Sequence, residues 1–341
     1  MTSPSPGLPI STTASTNPSD ERHGHLKYGA YLSRPPGDSG KPEDLVTLAR
    51  AAERLGFDSI WMGDHIVWPR RYDPVPHALE VGGDEEGPVQ APAHVFEPLT
   101  TLSFLAATVE SMRLGVGVLV TPYRNPILCA KMLATLDVLS RGRLVVGVGT
   151  GWMREEFELV SAPPYEDRGA VTDEFVRLFI ELWTKDIPEF QGRYARASQI
   201  VFSPKPIQQP HPPIWIGGNG AIAMKRVAAY GNGWMPLNQS PAQMATKTRQ
   251  LRSIVEASAR NPDEIGVAIG CRMRFSERSG RHGSDHDSLL GTSGEMIDQL
   301  RRYQEAGVDE VRLISTGAGY ADVPELLSAW GRFADEVATK V

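Results

Sequence analysis

The sequence predicts one (β/α)₈ barrel, a TIM barrel with insertion loops, and three observations carry that prediction. Short β-prone runs alternate with longer helical patterns from Lys27 to the end, eight of each. Two runs, Arg113–Val120 and Arg143–Val148, are nearly continuous in apolar residues and glycine, as strands buried on both faces are. Glycine-rich segments follow two of the runs, at the strand ends where barrel enzymes hold their ligands. An open doubly wound sheet is the alternative, and the strand count and the two apolar runs favour the barrel.

The elements follow in order. Lys27–Leu32 reads as the first strand. In Pro42–Leu55, apolar Leu45, Leu48, Ala49, Ala52 and Leu55 recur at helical spacing, with Pro42 at the start and Gly56 past the end. Asp58–Met62 is the second strand. The loop from Gly63 to Phe96 is rich in Pro and Gly and has no periodicity, and a loop of that length in a barrel is functional. Helices at Glu97–Glu110 and Pro126–Ser140 bracket the third strand, Arg113–Val120, and Arg143–Val148 is the fourth. After a polar loop come a helix at Asp167–Thr184, a hairpin-like stretch from Gly192 to Phe202, and a strand at Pro213–Ile216. Helices at Gly220–Tyr230, Pro241–Ala259, Ser293–Ala306 and Val323–Val337 alternate with strands at Gly233–Met235, Ile265–Gly270 and Glu310–Ile314. Ser276–Gly291 reads as a polar insertion. Residues 1–25, rich in Ser, Thr and Pro, read as a disordered tail, and 26–341 as one barrel domain.

Composition narrows the function. The 341 residues are 41% hydrophobic and 22% charged, with a net charge of -6 and no basic cluster. A nucleic-acid or anionic-membrane partner is therefore not expected. No secretory or membrane-spanning stretch is legible, and Cys129 and Cys271 are the only cysteines, so a reducing cytoplasm is the expected compartment.

Several constellations carry chemistry. Gly63-Asp64-His65 with Trp68 follows the second strand, which sets an imidazole over the barrel mouth. There it serves proton transfer near neutral pH, with Asp64 able to hydrogen-bond a ring or the imidazole. Gly147-Val148-Gly149-Thr150-Gly151-Trp152 follows the fourth strand, where glycines permit close backbone approach and Thr150 offers a hydroxyl. Gly217-Gly218-Asn219-Gly220 leads into a helix whose bare amides suit a phosphate. Gly115 and Gly117 inside the third strand mark a bulge or a packing adjustment. His77 and His94 lie in the long loop. His282 and His286 have no metal-ligand spacing, so no metal is expected, and no serine-hydrolase elbow is present.

Together the stretches PEDLVTLARAAERLGFDSIWMGDHIVWP, EPLTTLSFLAATVESMRLGVGVLVTPYRNP, KMLATLDVLSRGRLVVGVGTGWMREEFE and PPIWIGGNGAIAMKRVAAYGNGW resemble the luciferase-like monooxygenase superfamily, in its branch dependent on the deazaflavin coenzyme F420. The resemblance implies a TIM barrel with the cofactor ring at its mouth. It maps ring contacts onto Asp64 and His65, an aromatic catalytic partner onto Trp68 with the spacing off by one, and a strand bulge with a non-proline cis peptide near Gly117 and Val118. The phosphate tail falls on Gly217, Gly218, Asn219 and Gly220, with Gly149, Thr150, Gly151 and Trp152 nearby. Sugar-phosphate dehydrogenases of this branch carry a catalytic glutamate where this chain has Trp152, which turns the expectation from sugars to a flatter, more apolar substrate. Glu155 and Glu156 lie beyond that position. The expected activity is F420-dependent hydride transfer to or from a small organic molecule, with His65 as proton carrier. The alternatives are an FMN-dependent monooxygenase using O₂ and a flavin-binding protein without turnover. A homodimer is expected by resemblance.

Overall fold

Hydrogen-bonded neighbours connect eight parallel strands into a closed ring in the computed structural model, which describes residues 25–33, 36, 40–69, 94–277, 288–315 and 318–341. In chain order the elements are β1 (Lys27–Tyr31), α1 (Pro42–Arg54), β2 (Ser59–Met62), α2 (Pro98–Ala106), β3 (Arg113–Val120), α3 (Pro126–Leu139), β4 (Leu144–Gly149) and α4 (Arg154–Leu159). Next come α5 (Arg168–Thr184), β5 (Phe190–Gln191), β6 (Arg196–Ala197), β7 (Ile214–Gly217), α6 (Ala221–Tyr230), β8 (Gly233–Met235) and α7 (Pro241–Ala257). The chain ends with β9 (Gly266–Phe275), β10 (Ser288–Gly291), α8 (Ser293–Glu305), β11 (Glu310–Ile314) and α9 (Val323–Glu336). Around the ring the order is β1, β2, β3, β4, β7, β8, β9, β11 and back to β1. β5 and β6 form a small antiparallel hairpin outside it.

Local chemistry explains where the helices start. Pro42, Pro98, Pro126 and Pro241 stand in first turns, where the missing N–H has no acceptor to lose. The Asn125 side chain accepts from the amides of Ile127 and Leu128. Ser240 with Gln243, and Thr292 with Glu295, form reciprocal capping boxes. Between helices and ring lies an apolar layer that includes Leu48, Leu133, Phe179, Met244, Leu300 and Trp330.

Inside the ring the filling is different. Trp61, Val145, Trp215, Met235 and Ala268 form a separate buried cluster. Two indoles fit in so narrow a barrel only where the facing residues have no side chain. A Cβ on Gly115 would overlap the Trp61 ring, and one on Gly233 would overlap Trp215. Below them Glu310 is 1% exposed. It accepts from Ser59 Oγ at 2.5 Å, Trp61 Nε1 at 2.7 Å and Arg113 Nη2 at 2.6 Å. Burial pushes its carboxyl up, and Arg113, Ser59 and Trp61 outweigh that and hold it below the ordinary carboxylate range.

Two sequence expectations change. Ser276–Gly291 is not wholly irregular: its end is β10, which adds in parallel to β9, itself running to Phe275 rather than Gly270. The loop from Gly149 to Asp167 contains α4, whose six residues, Arg-Glu-Glu-Phe-Glu-Leu, are too few and too polar to show a period. Residues 70–93 of the long loop, the tail before residue 25, His77, His282 and His286 lie outside the described residues. Among the described residues no helix is long and apolar enough to cross a membrane.

Glycine at position 115 is thus a packing requirement. Gly115→Ala should destabilise the chain by about 1–3 kcal/mol through overpacking against Trp61. Urea unfolding with an unchanged midpoint would show that the indole has room to move.

Candidate functional site

The mouth of the barrel is organised from the end of β2. Asp64 is 3% exposed, and its oxygens are taken by Arg124 at 2.7 and 2.8 Å and by the Val120 amide at 2.8 Å. Arg124 also reaches Glu97 at 2.6 Å. This cluster ties the end of β2 to the end of β3 and the start of α2. Of the two partners expected for Asp64, a ring or the imidazole, the imidazole is not met: the carboxylate bonds Arg124 and the Val120 amide.

The partner of His65 is Glu156 on α4. His65 Nδ1 lies 2.9 Å from Glu156 Oε2, which also accepts from the Tyr123 hydroxyl at 2.8 Å. Glu156 Oε1 accepts from the amides of Ile66 at 2.6 Å and Val67 at 3.2 Å. Glu156 itself is wholly buried. Burial alone would raise its carboxyl, but the bonds from His65, Ile66 and Tyr123 hold it below the ordinary range, so it is a carboxylate near neutral pH. Burial and that negative charge push the Tyr123 hydroxyl upward and keep it a donor. A carboxylate at Nδ1 accepts from that nitrogen, which leaves Nε2 as the nitrogen that faces a ligand.

Aromatic groups hold the ring in place. Trp68 lies against the His65 ring with centroids 4.3 Å apart, and Trp152 meets it nearly edge-on at 6.0 Å. The Trp152 carbonyl accepts from the Tyr165 hydroxyl at 2.8 Å. Tyr165 in turn lies under the guanidinium groups of Arg154 and Arg168, at 4.5 and 4.0 Å.

The floor beside this group is β3. The Gly117–Val118 peptide is cis, at the position the resemblance implied, and the β3–β4 register shifts between Val116 and Leu119. The Tyr31 hydroxyl donates to the Gly117 carbonyl at 3.3 Å. Val118 sits between two strand-end glycines: a Cβ on Gly149 would overlap it, and one on Gly217 would lie 2.6 Å from its Cγ1. Gly149 and Gly217 thus make room for Val118. Gly151 has φ +78, and a Cβ there would meet Phe157 at 2.6 Å. Thr150, half-buried, stands between these glycines at the end of β4.

Across the mouth, the loop after β7 opens α6. The Gly218 carbonyl accepts from Trp234 Nε1 at 2.9 Å, and the Asn219 side chain pairs with both the amide and the carbonyl of Leu237. Asn219 therefore braces the loop. Gly220 precedes α6 with no side-chain cap, and nothing lies within 4 Å of the position its Cβ would take. The first-turn amides of α6 are thus left to a ligand or water. His94 packs on Gly40, in the loop between β1 and α1.

Glu156, Tyr123 and Arg124 are site residues that the sequence does not mark. In sequence Glu156 is one acid in a Glu155-Glu156-Phe157-Glu158 run, beyond the position that the resemblance marks. The only hint is Phe157 beside it, which is buried with Val120 and Tyr123.

Comparison with known proteins agrees with this architecture. The chain matches the sequence model of luciferase-like monooxygenases over residues 28–280. It is 30% identical to an F420-dependent glucose-6-phosphate dehydrogenase of Nakamurella multipartita over 293 residues, which is 85% of this chain and 78% of that one. It is 29% identical to the FMNH(2)-dependent dimethylsulfone monooxygenase of Pseudomonas putida over 54% of this chain and 51% of that one. Among solved structures, the coenzyme F420-dependent tetrahydromethanopterin reductase of Methanopyrus kandleri superposes with a TM-score of 0.72 at 18% identity, covering 93% and 99% of the two chains.

Because the folded chain depresses Glu156, its charge stabilises the fold above the ordinary glutamate value of 4.5, and that contribution is lost as the pH falls through the lower folded value. The stability difference between the wild type and Glu156→Gln should therefore be full at neutral pH and shrink below that value. Melting curves at several pH values check this, and a difference that does not change with pH would contradict it.

Proposed function

This chain belongs to the luciferase-like monooxygenase family, and from that premise we propose that it is an F420-dependent oxidoreductase acting on a small organic substrate. The observation that carries this reading is His65, held at the barrel mouth by a buried carboxylate with Nε2 left over. Membership of the family makes the chain an enzyme, which removes the alternative of a binding protein without turnover.

The residues present suit a ring with a phosphate tail. The surface at Gly117 and Val118 offers a floor for a flat ring. The uncapped start of α6, with the bare position at Gly220, offers amides to a phosphate, and Gly217, Gly218 and Asn219 shape that loop. Thr150 and Gly151 adjoin the floor. When bound, F420 supplies hydride transfer at its ring, a chemistry that no side chain here provides.

This chain's own groups handle the proton and the water. His65 gives or takes a proton at Nε2 while Glu156 stabilises the charge that the imidazole gains. Tyr123 and the amides of Ile66 and Val67 keep Glu156 in place. Trp68 and Trp152 flank the imidazole with apolar surface, which favours a substrate with a flat, apolar body. Asp64 contributes through Arg124, by fixing the strand end from which His65 projects. Glu156 stands behind His65, so it does not replace the glutamate that the sugar-phosphate dehydrogenases carry at the Trp152 position. The proposed activity is therefore not sugar oxidation.

Likeness to the dimethylsulfone monooxygenase supports a second reading, an FMN-dependent monooxygenase. Titrating the purified protein with F420 and with FMN separates the two: tighter F420 binding is expected, the reverse preference moves the assignment to FMN, and binding of neither contradicts both. His65→Ala should slow the chemical step by roughly 10²–10⁴-fold with cofactor affinity retained. Single-turnover rates that match the wild type would remove His65 from the mechanism.

A further inference from the structure

Two arginines face the interior of the barrel with no oxygen acceptor among the described residues. Strand alternation fixes their direction. On β9, Val267, Ile269, Cys271 and Met273 pack toward the helices, so Gly270 and Arg272 face the axis. On β11, Val311 and Leu313 pack outward, so Glu310 and Arg312 face inward.

Arg312 is 3% exposed and lies in register with Gly270 of β9 and Gly29 of β1. Its guanidinium covers the Trp61 ring at 5.1 Å and reaches under β3, where Nη1 would be 2.7 Å from a Cβ on Gly117. Its Nε has no partner, and Nη1 has only the Met235 sulfur, at 3.9 Å. Arg272 stands two residues nearer the mouth on the neighbouring strand, and its Nε is also buried without a partner.

Glu310 acts on Arg312 by charge alone, and neither arginine has a hydrogen-bonding oxygen among the described residues. The buried acid beside Arg312, Glu310, already has Ser59, Trp61 and Arg113 as donors. Asp64 is met by Arg124, and Glu156 by His65. A guanidinium stays charged at any working pH, and burying one without an acceptor is costly. Within the ring β9 stands four strands from β3, directly across the mouth from the Gly117–Val118 floor.

We propose that Arg272 and Arg312 form an anion subsite, and that the substrate carries an anionic oxygen group, a carboxylate, sulfonate or phosphate, received between the two guanidinium groups. The proposal rests on the oxidoreductase reading only in naming that anion as part of the substrate. An anion would enter past Arg272, the half-buried member of the pair and the one nearer the mouth.

The test uses the apo-protein at constant ionic strength, titrated with sodium acetate as a planar probe and sodium sulfate as a tetrahedral one. Tryptophan fluorescence reads the binding, since Trp61 lies under Arg312. A saturable response to at least one probe is expected, and which probe responds separates a carboxylate from a sulfonate or phosphate. The response should weaken by about tenfold or more in Arg272→Met and in Arg312→Met, and stay unchanged in Arg252→Met, an exposed control. Without anion, Arg312→Met should melt at or above the wild-type temperature, because it removes a buried guanidinium whose Nε has no acceptor. No saturable response in the wild type, an unchanged response in Arg272→Met, or a lower melting temperature for Arg312→Met would overturn the proposal. Anion binding without F420 binding would count against the cofactor reading alone, and F420 binding without anion binding against the subsite alone.

Discussion

A carboxylate as deeply buried as that of Glu156 persists only because four donors reach it, and those donors come from segments distant in sequence. His65, Ile66 and Val67 follow β2, Tyr123 lies in the turn after β3, and Glu156 itself follows β4. One charge therefore sets the relative positions of three strand ends at the mouth. Removing it would leave two backbone amides, a phenol and an imidazole without their shared acceptor, which is why the site and the local fold are difficult to separate here.

The layers below the mouth answer a different constraint. A barrel of eight strands has to be filled, and this one is filled with indole rings, so glycine recurs on the inner face of most strands. The same device continues upward, where Gly149 and Gly217 admit Val118. The glycines that a sequence reader assigns to ligand approach are thus shared between packing and function. Gly220 at the α6 entrance faces open space, whereas Gly115, Gly149, Gly217 and Gly233 face other side chains.

This division explains what was legible in the sequence. Helices such as Pro42–Arg54 announce themselves by spacing and caps, and Arg113–Val120 by its apolar run, so the barrel follows from local chemistry. His65 at a strand end and the Gly217–Gly220 loop are legible for the same reason, because position on a barrel strand implies position at the mouth. Glu156 was not, because α4 is short and polar and the partners that bury its acid lie 33 and 89 to 91 positions away. Arg272 and Arg312 escaped notice for a related reason. An arginine alternating with apolar residues reads as the solvent side of a strand, whereas closure of the ring turns that side into the interior.

The central claim is that Glu156 dictates which nitrogen His65 presents to the ligand. The direct measurement is nitrogen NMR of the His65 imidazole at a pH where the ring is neutral. The account predicts a hydrogen on Nδ1 and a bare Nε2 in the wild type, with that preference lost in Glu156→Gln. A wild-type ring carrying its hydrogen on Nε2, or a tautomer that does not respond to the substitution, would contradict it.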